Sequence, residues 1–227
     1  MNINEEKYEK EFVKEYVKEN EISYRIVTGI MRPIAWLVYR PISFGVENIP
    51  KDVPVIIACN HRGVPDPAFT IYAYRKRAIR FLAKKSLHDS VFGFIFRMAL
   101  TIPVDRSRKN PESMLAAETA LKHNKVIGIY PEGTRNKSDD ILLPFKYGAV
   151  ALAQKCGAYL VPSVNIGSYK PFVSQVRTYF GEAYKIDPDA DLNVENAKLR
   201  QKMYDLYFEN GTDDPKVQRI KAERKER

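Results

Sequence analysis

Residues 55–69 read VIIACNHRGVPDPAF and residues 126–138 read VIGIYPEGTRNKS. Each begins with a short, β-branched, uncharged run of the kind that makes a strand buried on both faces. Each run then stops at a loop rich in glycine, proline and charge. In the first loop Gly63, Pro65 and Pro67 forbid a continuous helix until a helical pattern resumes at about Ala68. In the second, Pro131 ends the strand directly after Tyr130. Working outward, further strands are expected at 79–83, 102–104, 160–165 and 176–180. Helices are expected at 68–74, 89–98, 111–123, 145–155 and 194–209, with Gly157 as a left-handed cap and Asn193 as an N-cap. Strands alternating with helices predict a single α/β domain with a largely parallel sheet.

Length and charge narrow the partners. The chain has 227 residues, 44% hydrophobic and 29% charged, which excludes a large multidomain machine and wholesale disorder. Its net charge is +9, and residues 21–109 alone hold fifteen basic against six acidic side chains. The last dozen residues add a second basic cluster. Such a field favours an anionic partner: a lipid surface, a phosphorylated substrate or an acidic carrier protein. No known nucleic-acid motif accompanies it, so no nucleic-acid partner is expected. Cys59 and Cys156 sit in apolar stretches and suggest neither a disulfide framework nor a zinc site.

Three segments divide the chain: a helical N-terminal element over 1–45, the α/β domain over 46–210, and a charged tail over 211–227 that reads as a solvated helix end. Residues 5–20 carry Tyr8, Phe12 and Tyr16 at helical spacing. Residues 22–42, ISYRIVTGIMRPIAWLVYRPI, are apolar and aromatic, with Arg25, Arg32 and Arg40 on one stripe and Pro33 and Pro41 as kink and stop. Trp36 and Tyr39 are side chains that favour a membrane interface. Two readings fit this segment, a helix lying in the headgroup region or a helix packed on the domain's own core. No apolar run approaches the roughly 20 residues needed to cross a bilayer, and no secretory leader is present, so a cytoplasmic location is expected.

The first loop places His61 and Asp66 five residues apart in a chain that can fold back on itself. A carboxylate on one ring nitrogen fixes the tautomer and leaves the other nitrogen as a general base. A structural role for the pair fits this spacing equally well. No G-x-S-x-G elbow, Gly-rich phosphate loop or H-E-x-x-H accompanies it, which points to direct activation of a substrate hydroxyl rather than a covalent intermediate. In the second loop Gly133 permits close backbone approach, Thr134 offers a hydroxyl and Arg135 a fork for phosphate oxygens. Glu132 either positions a substrate hydroxyl or holds Arg135. Lys84 and Arg106 follow two further strands, and parallel strands deliver their C-terminal ends to one edge, where open α/β folds bind ligands.

Taken together, NHRGVPD (60–66), PVDR ending at Arg106, PEGTR (131–135) and VPSVNIG (161–167) resemble the four ordered blocks of the glycerolipid acyltransferase family, in particular its bacterial lysophosphatidic acid acyltransferases. The resemblance implies acyl transfer from a thioester to a hydroxyl of a glycerophosphate acceptor. It implies His61 and Asp66 as the catalytic pair, and Arg106, Glu132, Gly133 and Arg135 as acceptor-binding residues; the loop reading itself adds Lys84 and Thr134 as expected substrate contacts. It also implies an N-terminal membrane-docking element. Two positions depart from the family pattern: Leu100 stands where the second block commonly has glycine, and Arg62-Gly63 where the first often has a small polar residue.

The expectation is therefore an O-acyltransferase of phospholipid biosynthesis on the cytoplasmic face of the membrane, peripheral or monotopic. It would make phosphatidic acid from lysophosphatidic acid, with acyl-carrier protein or coenzyme A bringing the acyl group and no metal or redox cofactor. The alternatives are glycerol 3-phosphate, another lysophospholipid or a lyso-aminolipid as acceptor, a thioester hydrolase, and a non-enzymatic basic module.

Overall fold

The computed structural model describes Lys10, Val13, Val17 and residues 21–105, 111–173 and 175–225. Arg106 and most of the helix expected over 5–20 lie outside the described residues. The strands are β1 (Ile42–Phe44), β2 (Val55–Cys59), β3 (Ile79–Lys84), β4 (Ile102–Val104), β5 (Val126–Ile129), β6 (Tyr159–Ile166) and β7 (Arg177–Phe180). They form one sheet in the order β1-β7-β6-β2-β5-β3-β4. Every neighbouring pair is parallel except β6 and β7, which are antiparallel. The mixed, mostly parallel sheet read from the sequence is therefore present. β2 lies at the centre with all five residues buried, each Ile side chain contributing ~1.5–3 kcal/mol by its removal from water.

Helices α1 (Ile22–Tyr39), α2 (Asp66–Ala73), α3 (Lys85–His88), α4 (Gly93–Met98), α5 (Pro111–Lys122), α6 (Gly148–Cys156), α7 (Leu192–Asn210) and α8 (Pro215–Lys225) surround it. Ala117, Ala120, Val150, Leu199, Met203 and Val217 bring α5 to α8 onto one face of the sheet. Tyr24, Ile71 and Tyr74 bring α1 and the end of α2 onto the other.

Some elements differ from the sequence reading. β1 replaces the end of the expected N-terminal segment, because Ile42–Phe44 pairs with Arg177–Tyr179. The helix expected over 89–98 begins only at Gly93, after a tight turn that follows the separate short helix α3; a Cβ at Gly93 would sit 1.9 Å from the His88 carbonyl oxygen. The N-cap of α7 is Asp191, not Asn193: its carboxylate accepts from the amides of Asn193 and Val194. The charged tail is anchored, for α8 buries Val217 in the core. Gly157 does cap α6 in the left-handed conformation, at φ 59°.

α1 runs through Pro33 and turns Tyr24, Thr28 and Ala35 inward. Its arginines do not form one outward stripe. Arg32 is half-buried and donates to the Ile71 carbonyl at 3.3–3.4 Å, satisfying an open carbonyl near the end of α2. Tyr39 packs edge-on against Phe69. Arg25 and Arg40 are exposed. What α1 presents outward is apolar: Ile22, Ile26, Ile30, Ile34, Trp36 and Leu37 are each more than half exposed. α4 packs beside α1, and Val91, Phe92 and Phe94 on the neighbouring turn and helix are equally exposed.

Candidate active site

The site grows from the C-terminal end of β2. Asn60 locks that end to β6: its side chain donates to the Asn165 carbonyl at 3.1 Å and accepts from the Asn165 amide at 2.7 Å. Thr178 Oγ1 on β7 donates to Asn165 Oδ1 at 2.8 Å, so three strands converge on the residue before His61. The chain then folds back as the prolines and glycine require, and Asp66 opens α2.

His61 Nδ1 lies 2.8 Å from Asp66 Oδ2. The same oxygen accepts from the backbone amides of Arg62 at 2.7 Å and Gly63 at 2.8 Å. The Tyr169 hydroxyl donates to the other oxygen, Oδ1. Asp66 is fully buried, and a carboxylate in such a place persists only when its lone pairs are filled. An acceptor so thoroughly supplied with donors stays a carboxylate and accepts a hydrogen bond from Nδ1–H, which leaves Nε2 of His61 as the lone-pair nitrogen. The imidazole ring is held from its face by Tyr130, stacked with centroids 4.2 Å apart, and Phe81 stacks on Tyr130 in turn.

The second loop wraps the first. Glu132 accepts from the His61 amide at 2.7 Å and from the Leu143 amide at 3.0 Å. Asn136 N–H donates to the His61 carbonyl at 2.6 Å. The two oxygens of Glu132 hold backbone amides and its side chain is buried, and no bond to Arg135 is found among the described residues. Burial raises its pKa above the ordinary glutamate value, a push that outweighs the two amide bonds favouring the charged form. Gly133 has φ 68°, and a Cβ there would lie 2.7 Å from the Lys146 side chain, which covers the turn. Thr134 and Arg135 are exposed at the loop's tip. Lys84 is exposed at the end of β3, on the same edge as His61, two strands away across β5. The strand leading to Arg106 ends on that edge too.

The sequence reading missed Tyr169, Tyr130 and the role of Arg62. Tyr169 lies 103 residues from Asp66, and its only signal is its place just after VPSVNIG. A Cβ at Gly63 would lie 2.9 Å from the Tyr169 ring. The glycine that departs from the family pattern thus makes room for the tyrosine that holds Asp66. The Arg62 guanidinium turns away from His61, 5.3 Å from the Tyr169 ring centre and 3.6 Å from Asp214. Cys59 is a buried free thiol whose pKa burial drives upward, which keeps it protonated and unreactive.

A parallel-sheet edge carrying a histidine, its buried carboxylate partner and exposed cations is an arrangement suited to proton transfer beside an anion. A family model described as Acyltransferase matches residues 42–165, and the chain belongs to that family. Similar curated proteins are 1-acyl-sn-glycerol-3-phosphate acyltransferases. That of Bacillus subtilis (strain 168) is 34% identical over 125 residues, 55% of this chain and 61% of the relative. That of Borreliella burgdorferi is 31% identical over 160 residues, 68% of this chain and 63% of the relative. The chain thus spans less than two thirds of either relative's length. The 1-acyl-sn-glycerophosphate (LPA) acyltransferase PlsC from Thermotoga maritima has the same fold, with a TM-score of 0.65 at 21% identity over 80% of this chain and 77% of that one.

Proposed function

We propose that the chain transfers a fatty acyl group from an acyl thioester to the free hydroxyl of lysophosphatidic acid, forming phosphatidic acid. The observation that carries this is the His61–Asp66 pair, built into the edge where Lys84 and Arg135 stand. Nε2 of His61 takes the acceptor's hydroxyl proton as that oxygen attacks the thioester carbonyl. The tetrahedral oxyanion collapses, the ester bond forms and the carbon–sulfur bond breaks. The departing thiolate recovers the proton from the imidazolium, so the base is regenerated. Asp66, fixed by Tyr169 and two amides, stabilises the charged ring throughout. The amides of His61, Arg62, Gly63, Gly133 and Asn136 are already engaged. Those of Thr134 and Arg135 have no partner among the described residues, and we assign the oxyanion to them. Lys84, Arg106 and Arg135 hold the acceptor phosphate. Acyl-carrier protein or coenzyme A supplies the acyl group.

The acceptor is a lipid, and the apolar outward face of α1 gives the protein a way to reach it. No helix among the described residues is long and apolar enough to cross a membrane. On this reading the exposed apolar face of α1 rests in the headgroup region, with Arg25 and Arg40 near anionic lipid and Trp36 at the interface. The exposed Val91, Phe92 and Phe94 extend the same surface. On this reading the protein works at the cytoplasmic face of the cell membrane, peripheral or monotopic. The test is product analysis by mass spectrometry, with lysophosphatidic acid, glycerol 3-phosphate and other lysolipids competing in one reaction. Phosphatidic acid is the expected main product. A different acylated lipid, or free fatty acid without acceptor, overturns the assignment.

A further inference from the structure

Direct transfer requires two substrates at His61 at once, and the cations described so far lie to one side of it. Lys84 and Arg135 follow β3 and β5. From the far end of the β5 loop, at residues 136–138, an open cavity of about 850 Å³ extends past β6, bounded by Arg62, Lys137, Lys170, Arg177 and Lys216. Two carboxylates, Asp213 and Asp214, share it, which leaves the cations in excess. Asp213 pairs with Arg177, and Asp214 lies 3.6 Å from Arg62. Lys216 Nζ is held by the carbonyls of Ser138 and Asp140 at 2.7 and 2.8 Å. Burial, and then the nearness of Arg62, lowers its pKa below the ordinary lysine value. The first turn of α8 also borders the cavity through Pro215 and Lys216, adding the positive end of a helix.

Three further observations say what kind of anion belongs here. The cavity wall is continuous with the catalytic pair, because Arg62 N and the Tyr169 hydroxyl both bind Asp66. It stands on the α7–α8 face of the sheet, where Arg62 lies 6.0 Å from the Tyr207 ring centre, whereas the exposed apolar face belongs to α1 on the opposite side. Most of it is also built from residues beyond 165, the end of the family match.

We infer that this cavity binds the phosphate of the acyl donor's phosphopantetheine arm, so that the water-borne donor enters from the α7–α8 face and the lipid acceptor from the side of α1. The inference rests on the acyl-transfer reading above. Coenzyme A and acyl-carrier protein share that arm and its phosphate, and the experiment separates them.

Lys137 and Lys170 are exposed at the rim, so Lys137→Glu combined with Lys170→Glu changes charge without disturbing the core. Steady-state transfer is measured with acyl-coenzyme A, acyl-carrier protein and acyl-pantetheine, which lacks the phosphate. The expected result is a roughly tenfold higher donor KM, ~1.4 kcal/mol, for one or both phosphorylated donors. The KM of acyl-pantetheine, the acceptor KM and kcat should stay unchanged. An effect on one phosphorylated donor alone identifies the source. An unchanged donor KM, an equal rise for acyl-pantetheine, or a raised acceptor KM overturns the inference while leaving acyl transfer standing. Binding of coenzyme A and of 4′-phosphopantetheine to the wild type and the double variant, measured by calorimetry, tests the cavity without turnover. Loss of affinity in the variant supports it, and equal or absent binding to the two proteins refutes it. A wild type that transfers from no thioester defeats the acyl-transfer reading instead.

Discussion

Tyr169→Phe isolates the bond that the sequence least advertises. The substitution removes one hydroxyl and keeps the ring, so the contacts with Phe69 and with Arg62 persist. What it deletes is the one side-chain donor to Oδ1 of a fully buried Asp66 among the described residues. A hydrogen bond to a charged group contributes about 1.5–3 kcal/mol. For a chain of this length that lowers Tm by roughly 3–12 °C. Catalysis changes in a way a purely structural loss would not produce. A carboxylate with fewer donors holds a proton on the imidazole more tightly, so the acidic limb of the kcat/KM profile moves to higher pH. Burial, and then the Asp66 charge, raise the Tyr169 pKa well above the usual tyrosine value. Its hydroxyl is therefore a donor throughout the range of the assay. Thermal unfolding and a pH–rate profile on the same preparation test this. An unchanged Tm together with an unmoved acidic limb would refute the account of how Asp66 is held.

Glu132→Gln should cut kcat by at least tenfold with a small change in acceptor KM, because the amide can accept from one backbone N–H but opposes the other. Its stability effect depends on pH with a definite sign. A carboxyl whose pKa is raised in the folded state adds stability below its unfolded value and loses that contribution as pH rises through the folded value. The gap between wild type and Glu132→Gln in denaturant titrations should therefore narrow from pH 4 toward pH 7, and a widening gap would contradict the burial argument. Ile26→Glu with Phe92→Glu places charges on two exposed sites. It should reduce partition to anionic vesicles about tenfold or more while stability changes within about 0.5 kcal/mol; undiminished sedimentation with vesicles would rule out the docking face. Gly133→Ala should destabilise by about 1–2 kcal/mol from the left-handed backbone alone, with added loss from displacing Lys146. Denaturant unfolding at wild-type stability would show that the turn relaxes.

The sheet was legible because its strands are short apolar runs that end at glycine and proline, a pattern set by local chemistry. β1 was not, since three residues carry no period and pair only with the distant Arg177–Tyr179. His61 and Asp66 were legible because both belong to one loop whose breakers force it to fold back. Tyr169, Glu132's grip on the His61 amide and Asn136's on the His61 carbonyl join segments 71 or more residues apart, and no spacing encodes them. Arg32 shows the opposite failure. The seven-residue interval to Arg25 places both on one stripe, yet Arg32 reaches the Ile71 carbonyl on α2, a partner that helical periodicity alone does not reveal. In α1 the pattern was right about amphipathic character and incomplete about which face meets the domain.

The central claim is that His61 Nε2 takes the acceptor's proton. Its most direct test is single-turnover transfer from a radiolabelled acyl thioester to lysophosphatidic acid in mixed micelles, with wild type and His61→Ala compared at matched circular dichroism and Tm. The account predicts labelled phosphatidic acid from the wild type and a loss of at least a thousandfold in rate for the variant, with no label retained on either protein. Undiminished transfer by folded His61→Ala, or a labelled acyl-protein that passes its label on to the acceptor, would contradict it.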